Sequence, residues 1–169
     1  MPVIFRAVLL AGAVLVLSSC ATINPPIEQR TTHGPAARDL WTVRMLAQLG
    51  REPSFDEQRH FDNELELRIG EYLRAHPEDA NALTVSTFRF DRQVAVGMSK
   101  EQVIILLGPP LALTTDQAEM EQRARKFWPA LRGNVTEAWA YPLGWTVYFA
   151  GQRVVDITRY VEGGKTGAS

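Results

Sequence analysis

Residues 139–157 read WAYPLGWTVYFAGQRVVDI, and apolar side chains alternate with other residues along most of this stretch. Turn-forming residues interrupt the alternation twice, at 142–144 and at 150–152. An apolar period of two is typical of strands that bury one face, and short interruptions of this kind connect antiparallel neighbours. The stretch therefore predicts a three-stranded antiparallel meander whose buried face carries Trp139, Tyr141, Trp145, Val147, Phe149, Val155 and Ile157.

Helices are predicted on the N-terminal side of the meander. Ser99 and Gln102 have the spacing of a helix-capping box, and Gly108 can end the helix that starts there. A further helical pattern ends at Pro129. Residues 82–96 contain alternating and β-prone positions, which predict a short strand or an extended connector.

A helical hairpin is predicted over residues 36–80. Apolar residues recur at three- and four-residue spacing on both sides of Gly50, and Ser54 with Glu57 forms a second capping box. Pro77 ends the second helical pattern. The end of the hairpin also resembles the closing helix of a tetratricopeptide-type repeat, so a peptide-binding module is an alternative. Such repeats stack in groups of about three or more, and this chain has one candidate unit, which favours a packing hairpin.

Four short motifs make the pattern more specific. They are GMSKEQV at 97–103, LGPP at 107–110, WAY at 139–141 and VYFAGQRV at 147–154. Together they resemble the SmpA/OmlA family of small outer-membrane lipoproteins, also called BamE-like, over roughly residues 92–160. The resemblance implies an ααβββ fold, with two helices packed on a three-stranded antiparallel sheet. The best-known member of that family is an accessory subunit of the machinery that inserts β-barrel proteins into the outer membrane.

The chain departs from the family pattern in two places. The connection from Ala112 to Glu137 is longer, and the hairpin of residues 36–80 is additional. Each motif residue also has a role in a turn, a helix cap or the core, so the resemblance identifies a fold and suggests a function by analogy. We therefore expect a specialised relative rather than the assembly-machinery subunit itself.

The N-terminal segment has the layout of a bacterial lipoprotein signal peptide. Residues 1–19 carry one charge, Arg6, followed by an apolar run over 7–17. This run is shorter than the roughly 20 residues that span a bilayer as a helix. The sequence LSSC at 17–20 resembles the lipobox, in which the cysteine takes a diacylglycerol before cleavage. Cys20 is the only cysteine of the chain and is predicted to anchor the protein to a membrane through its acyl chains.

The segments that flank the predicted fold have little pattern. Residues 20–35 are polar with several Pro and Gly, which predicts a flexible tether from the lipidated Cys20, and residues 161–169 are predicted to be a disordered tail. The hydrophobic content of 46% is that of an ordinary globular protein. The formal net charge of −1 provides no strong basic field, so nucleic acid is not expected as a partner.

The sequence predicts no catalytic or metal site. His33, His60 and His76 share no ligand spacing, and the carboxylates between 56 and 66 alternate with arginines as on a solvated helix face. The chain has no phosphate-binding glycine loop and no nucleophile elbow, and its one cysteine is assigned to lipid. We expect no enzymatic activity, no small-molecule substrate and no cofactor apart from the covalent lipid on Cys20.

A partner-binding surface is predicted on the sheet. A three-stranded sheet packed by helices on one face leaves its other face open, and the alternation puts Thr146, Tyr148, Thr158 and Arg159 on that face. Tyr148 and Arg159 are the candidate partner contacts, because these residue types combine apolar area with directional hydrogen-bond donors. Trp139 is expected in the core.

The expected fold class is α+β, with an N-terminal helical hairpin followed by a BamE-like ααβββ domain. The expected function is a noncatalytic protein-binding or scaffolding lipoprotein on the periplasmic face of the outer membrane. Ala21 and Thr22 after Cys20 are not the aspartate that commonly retains lipoproteins in the inner membrane, which favours outer-membrane sorting. An envelope protein is the expected partner, with barrel-assembly subunits as candidates. A self-associating structural lipoprotein of the envelope is the alternative.

Overall fold

The computed structural model describes residues 25–163. The predicted signal peptide, Cys20 and the last residues of the predicted tail therefore lie outside the described residues. Five α helices and seven β strands form within this range. In chain order they are β1 (Ile27–Thr31), β2 (His33–Ala36), α1 (Ala37–Leu49), α2 (Phe55–Ala75), β3 (Gln93–Ala95), α3 (Lys100–Leu107), β4 (Ala112–Thr114), α4 (Gln117–Ala124), α5 (Trp128–Leu131), β5 (Glu137–Ala140), β6 (Trp145–Ala150) and β7 (Arg153–Val161).

Five strands form one antiparallel sheet in the order β1-β7-β6-β5-β4, and β2 pairs with β3 in a separate two-stranded sheet. Strands β5, β6 and β7 form the predicted meander, in which Val147 lies opposite both Trp139 and Ile157. The fold is α+β. The prediction of a three-stranded sheet in an ααβββ arrangement is wrong, because β1 and β4 extend the sheet at its two edges.

The two edge strands come from segments without a strand pattern in the sequence. Strand β1 lies inside the predicted tether of residues 20–35 and reads Ile-Glu-Gln-Arg-Thr. Strand β4 has only three residues and follows Pro110 closely. An edge strand exposes one side to solvent and tolerates charged side chains, so it lacks the apolar alternation of a central strand. The described part of the predicted tether is therefore largely strand from Ile27 onward.

One face of the sheet packs against α1, α2 and α3 in a single hydrophobic core. The helices contribute Leu40, Leu65, Ile69, Val103, Leu106 and Leu107, and the strands of the sheet contribute Trp139, Val147, Phe149, Val154 and Ile157, with Tyr141 directly after β5. The first two helices also meet directly, because Trp41 stacks on Phe61 with 4.5 Å between ring centroids. The helical hairpin and the sheet thus share one core.

The opposite face is covered by α4, a 3-10 turn at Arg125–Phe127, and α5. Their buried side chains Met120, Ala124, Trp128 and Leu131 pack against Ala138 and Tyr148 of the sheet. The protein therefore has three layers, with helices on both faces of the sheet. The prediction that this face is open is wrong, because the long connection between Ala112 and Glu137 folds back over it.

Both predicted capping boxes are confirmed. At the start of α2, the backbone N–H of Glu57 donates to Ser54 Oγ at 3.3 Å, and the N–H of Ser54 donates to Glu57 Oε2 at 2.7 Å. The same pair of bonds joins Ser99 and Gln102 at 3.1 and 2.8 Å. The segment after α2, predicted as a strand or an extended connector, forms a π-helical turn at Thr87–Asp91 before β3.

An ion pair holds β1 to the sheet. Arg30 Nε donates to the two carboxylate oxygens of Asp156 at 3.0 and 2.8 Å. Asp156 lies on β7 and is only 6% exposed. A buried carboxylate without a cation carries a large desolvation cost, so the burial of Asp156 depends on the presence of β1.

Replacing Trp139 with alanine tests the core between the sheet and the hairpin. Trp139 is 6% exposed, and its ring lies 4.5 Å from that of Phe149. We expect the free energy of unfolding to fall by about 3–5 kcal/mol, because loss of a buried indole leaves a cavity. Chemical denaturation of the wild type and the variant measures this difference.

Leu113→Ala is the matched control for this substitution. Leu113 lies opposite Trp139 on β4 but is 55% exposed, so we expect a loss below about 1 kcal/mol. A loss equally small for Trp139→Ala would contradict the burial of the indole described above.

Candidate functional site

The two predicted partner contacts lie on opposite faces of the sheet. Tyr148 is opposite Asp156, whereas Arg159 is opposite Trp145. Side chains of successive strand residues point to alternate faces, so Tyr148 faces α4 and α5 while Arg159 lies on the face of Trp139. The structure does not bring the two candidates together.

Tyr148 belongs to the core. It is fully buried, and its hydroxyl lies 3.2 Å from Thr158 Oγ1. Burial raises the pKa of Tyr148 to about 12, so the phenol stays neutral at physiological pH. Thr146 and Thr158 are buried as well. The prediction that Tyr148 lies on an exposed surface is wrong, because α4 and α5 cover it.

Arg159 is partly exposed at one end of the sheet. Its guanidinium carbon lies 5.0 Å from the ring centroid of Trp145, and its Nε donates to the backbone oxygen of Leu143 at 3.2 Å. The aromatic face and the carbonyl together hold the guanidinium beside the turn between β5 and β6. Arg159 is therefore the starting point for a candidate site.

The turn from β5 to β6 at Pro142–Gly144 has an unusual backbone. Leu143 is left-handed, with φ 61° and ψ 24°, a conformation that costs about 1 kcal/mol or more for a residue with a Cβ. Gly144 has φ 77°, and a Cβ built on it would lie 1.7 Å from the carbonyl oxygen of Tyr160. Glycine is thus required where the turn touches β7. The Leu143 side chain is left 43% exposed at the tip.

The end of α4 brings two more arginines to the same place. Arg125 also has a positive φ of 52°, and its guanidinium carbon lies 3.6 Å from the ring centroid of Tyr160. Arg123 and Arg125 line a cavity of about 300 Å³ together with Trp145 and Tyr160. Stacking on an aromatic face orients a guanidinium while leaving its edge donors available.

These residues share one end of the main sheet, which we call the tether end because β1 enters the fold there. Ile27 pairs with Val161 at this end, and Leu111 donates its N–H to Ala140 beside the turn. The tether end consists of the arginines Arg123, Arg125 and Arg159, the aromatic residues Trp145 and Tyr160, and the apolar residues Ile27, Leu111 and Leu143. The three apolar side chains are 42%, 69% and 43% exposed, respectively. The opposite end of the sheet has the polar β6–β7 hairpin at Gly151 and Gln152.

The arginines of the tether end can bind an anion, because their charges are not used in ion pairs within residues 25–163. Within residues 25–163, Arg123, Arg125 and Arg159 form no ion pair with a carboxylate, whereas Arg30 and Arg92 do. Sequence reasoning identified Arg159 and missed the other two. Arg123 and Arg125 lie in a helical segment of mixed charge, and no spacing in the sequence indicates that this segment ends beside β7.

A second polar cluster joins the end of α2 to the start of α3. The Tyr72 hydroxyl donates to the Asp79 carboxylate and lies 3.2 Å from Ser99 Oγ, while the His76 ring stacks on Tyr72 at 4.3 Å. Burial, with the Asp79 hydrogen bond, raises the pKa of Tyr72 to about 12. Ser99 Oγ also accepts the capping bond from Gln102. The fold accounts for each of these contacts, so we assign the cluster a structural role.

The remaining histidines, His33 and His60, do not belong to a catalytic or metal-binding cluster. His60 lies 3.1 Å from the exposed Glu64 on the same helix, and His33 is exposed on β2. Across residues 25–163, His, Cys, Asp and Glu side chains form no group of three or more that could hold a metal ion. In the same part of the chain, no helix has the length and apolar character needed to cross a bilayer.

Gly144→Ala tests the contact that shapes the tether end. The new Cβ would overlap the Tyr160 carbonyl oxygen, so we expect the turn to separate from β7 and the free energy of unfolding to fall by several kcal/mol. Gly151→Ala is the control, because Gly151 has φ 57° with no neighbour within 4 Å of a built Cβ. It carries the backbone cost alone, about 1–2 kcal/mol. Equal losses for the two variants in thermal and chemical denaturation would contradict the close approach at Gly144.

Comparison with known proteins identifies no relative of this chain. The chain matches no protein-family model, no curated protein and no solved structure. The functional interpretation of the tether end therefore depends on its own geometry and on the sequence patterns described above.

Proposed function

We propose that this protein is a noncatalytic lipoprotein, anchored through Cys20 to the periplasmic face of the outer membrane, that binds or scaffolds an envelope protein. The motifs between Gly97 and Val154 support a relationship to the SmpA/OmlA lipoproteins, and hence a role in β-barrel assembly or envelope integrity. The five-stranded sheet and the helices on both of its faces distinguish this chain from the ααβββ arrangement of that family.

One observation carries the proposal: the main sheet begins seven residues after the predicted lipobox cysteine. Ile27, the first residue of β1, follows Cys20 by seven positions. Strand β1 pairs with β7 from Ile27 to Thr31, and Arg30 of β1 forms an ion pair with Asp156 of β7. A lipid on Cys20 would therefore hold the folded sheet close to the bilayer, as required of a domain that works at a membrane surface.

Cys20→Ala tests the anchor. Because Cys20 is the only cysteine, we expect this substitution to abolish labelling by a fatty-acid probe and to remove the protein from the outer-membrane fraction. Ser19→Ala is the control, since it keeps a small residue before the cysteine and should leave both readouts unchanged. Persistent outer-membrane fractionation of Cys20→Ala would mean that the anchor lies elsewhere.

The β4 edge is the surface that we propose for the protein partner. Helices cover both faces of the sheet, which leaves its two edges. Strand β1 exposes Gln29 and Arg30, and polar or charged edge strands oppose pairing with other chains. Strand β4 instead exposes Leu113 beside an edge that pairs with no other strand of residues 25–163. An extended segment of an envelope protein can add to such an edge as a further strand, with Leu113 as an apolar contact.

Leu113→Glu tests the docking edge. Partner recovery with the lipidated protein after cross-linking in membranes should fall, because a charge replaces the apolar contact, while the melting temperature stays unchanged. Leu67→Glu is the control, since Leu67 is 65% exposed on α2, away from β4. Barrel-assembly subunits lost with Leu113→Glu alone would support the proposal. Recovery of copies of this chain alone would support the self-associating structural lipoprotein instead, and undiminished recovery with Leu113→Glu would exclude the β4 edge.

A further inference from the structure

Three independent features coincide at the tether end. The chain from Cys20 enters the fold there at Ile27. Arginines that form no ion pair within residues 25–163 gather there, and apolar side chains are exposed beside them. Exposed apolar residues ringed by basic and aromatic residues are characteristic of proteins that lie on membrane surfaces.

We propose that the tether end is a membrane-contact surface, in which Arg123, Arg125 and Arg159 bind the phosphates of anionic phospholipid headgroups and Leu143 enters the interface. The proposal deepens the proposed function and rests on it in one respect, namely that a lipid on Cys20 brings this end to the bilayer. The occupant is the membrane leaflet that holds the anchor.

The length of the connection restricts the orientation of the domain. Seven peptide units separate Cys20 from Ile27, and a chain of this length reaches no more than about 25 Å. Strand β7 has nine residues, which correspond to a sheet about 30 Å long. Because the connection is shorter than the sheet, the domain cannot stand upright on the β6–β7 hairpin, and the tether end stays within about 25 Å of the bilayer.

The side chains of the tether end match a phospholipid headgroup region. A guanidinium donates two parallel hydrogen bonds to a phosphate, and Arg125 and Arg159 are already oriented by Tyr160 and Trp145. Tyr and Trp side chains are enriched at the membrane–water interface, at the level of the lipid headgroups. Leu143, at the tip of the β5–β6 turn, is placed to reach the boundary between headgroups and acyl chains.

Acidic side chains also lie near these arginines. Glu28 is paired with Lys126 at 3.2 Å and is therefore neutralised. Glu119 and Glu121 are exposed on α4, and Glu162 is exposed directly after β7. Glu119 lines a cavity with Arg123, and none of the three carboxylates forms an ion pair within residues 25–163. Three arginines are thus matched in number by three carboxylates, so headgroup binding depends on the guanidiniums that Tyr160 and Trp145 orient rather than on an excess of positive charge.

Vesicle flotation of an unlipidated chain tests the inference. The chain starts at residue 20 and carries Cys20→Ala, so it contains every described residue but no acyl chains. We expect it to float with phosphatidylcholine vesicles that contain phosphatidylglycerol and not with pure phosphatidylcholine vesicles. High salt should weaken binding, because it screens exposed charges.

Two sets of variants separate headgroup binding from non-specific attraction. Replacing Arg123, Arg125 and Arg159 with glutamine should weaken binding to the anionic vesicles on the order of a hundredfold, since each basic residue at an anionic surface contributes about fivefold. The control replaces the exposed arginines Arg74, Arg89 and Arg132 with glutamine, which changes the net charge equally but lies away from the tether end. We expect this control to retain most of the binding.

Leu143→Asn tests the apolar contact without destabilising the fold. Asparagine adopts the left-handed conformation of residue 143 more readily than leucine, so the melting temperature should be maintained or raised. Binding to anionic vesicles should nevertheless fall severalfold, because the apolar side chain is lost.

The outcomes distinguish this inference from the proposed function. If the unlipidated chain fails to bind anionic vesicles at low salt, or if both arginine sets weaken binding equally, the membrane-contact surface is refuted, whatever labelling of Cys20 reveals. If the chain binds as expected but Cys20 takes no lipid in cells, the anchor proposal fails while the lipid affinity of the tether end stands.

Discussion

The buried carboxylate of Asp156 is the constraint on which the arrangement of the sheet depends. It lies on β7, next to the central strand, and its cation comes from Arg30 on β1, 126 positions away in the chain. Without that arginine the carboxylate would be buried and uncompensated, a state that costs several kcal/mol. Strand β1 is thus an integral edge of the sheet, and its direction determines where the N-terminal segment enters the fold.

Helices cover both faces of the main sheet. The hairpin of α1 and α2 joins α3 on one face, and α4 with α5 occupies the other. Strands buried on both sides carry apolar residues at nearly every position, as in the run Val147, Tyr148, Phe149. Of the sheet itself, only the ends and edges remain uncovered for the proposed contacts, and the tether end and β4 lie there.

Sequence reasoning succeeded where the signal is local and failed where it depends on distant partners. The capping boxes at Ser54 and Ser99 and the meander were predictable, because residues within three or four positions of each other determine them. Strand β1 carries no such pattern, since a polar edge strand is stabilised by β7 rather than by its own composition. The same reasoning assigned Tyr148 to an open face, because strand alternation does not reveal that α4 returns over it. Arg159 was identified, but the arginines beside it come from α4, whose path no local pattern indicates.

The pairing of β1 with β7 has a mechanical consequence. In the proposed function, a force between the lipid anchor and a bound partner would enter the domain at Ile27 and run along the axis of β1. The hydrogen bonds of an antiparallel pair lie perpendicular to the strands, so such a force loads them together in shear rather than breaking them one at a time. The Arg30–Asp156 bridge bears the same load in parallel. Under the proposed function, β1 would thus transmit force between the lipid anchor and a partner bound to the domain.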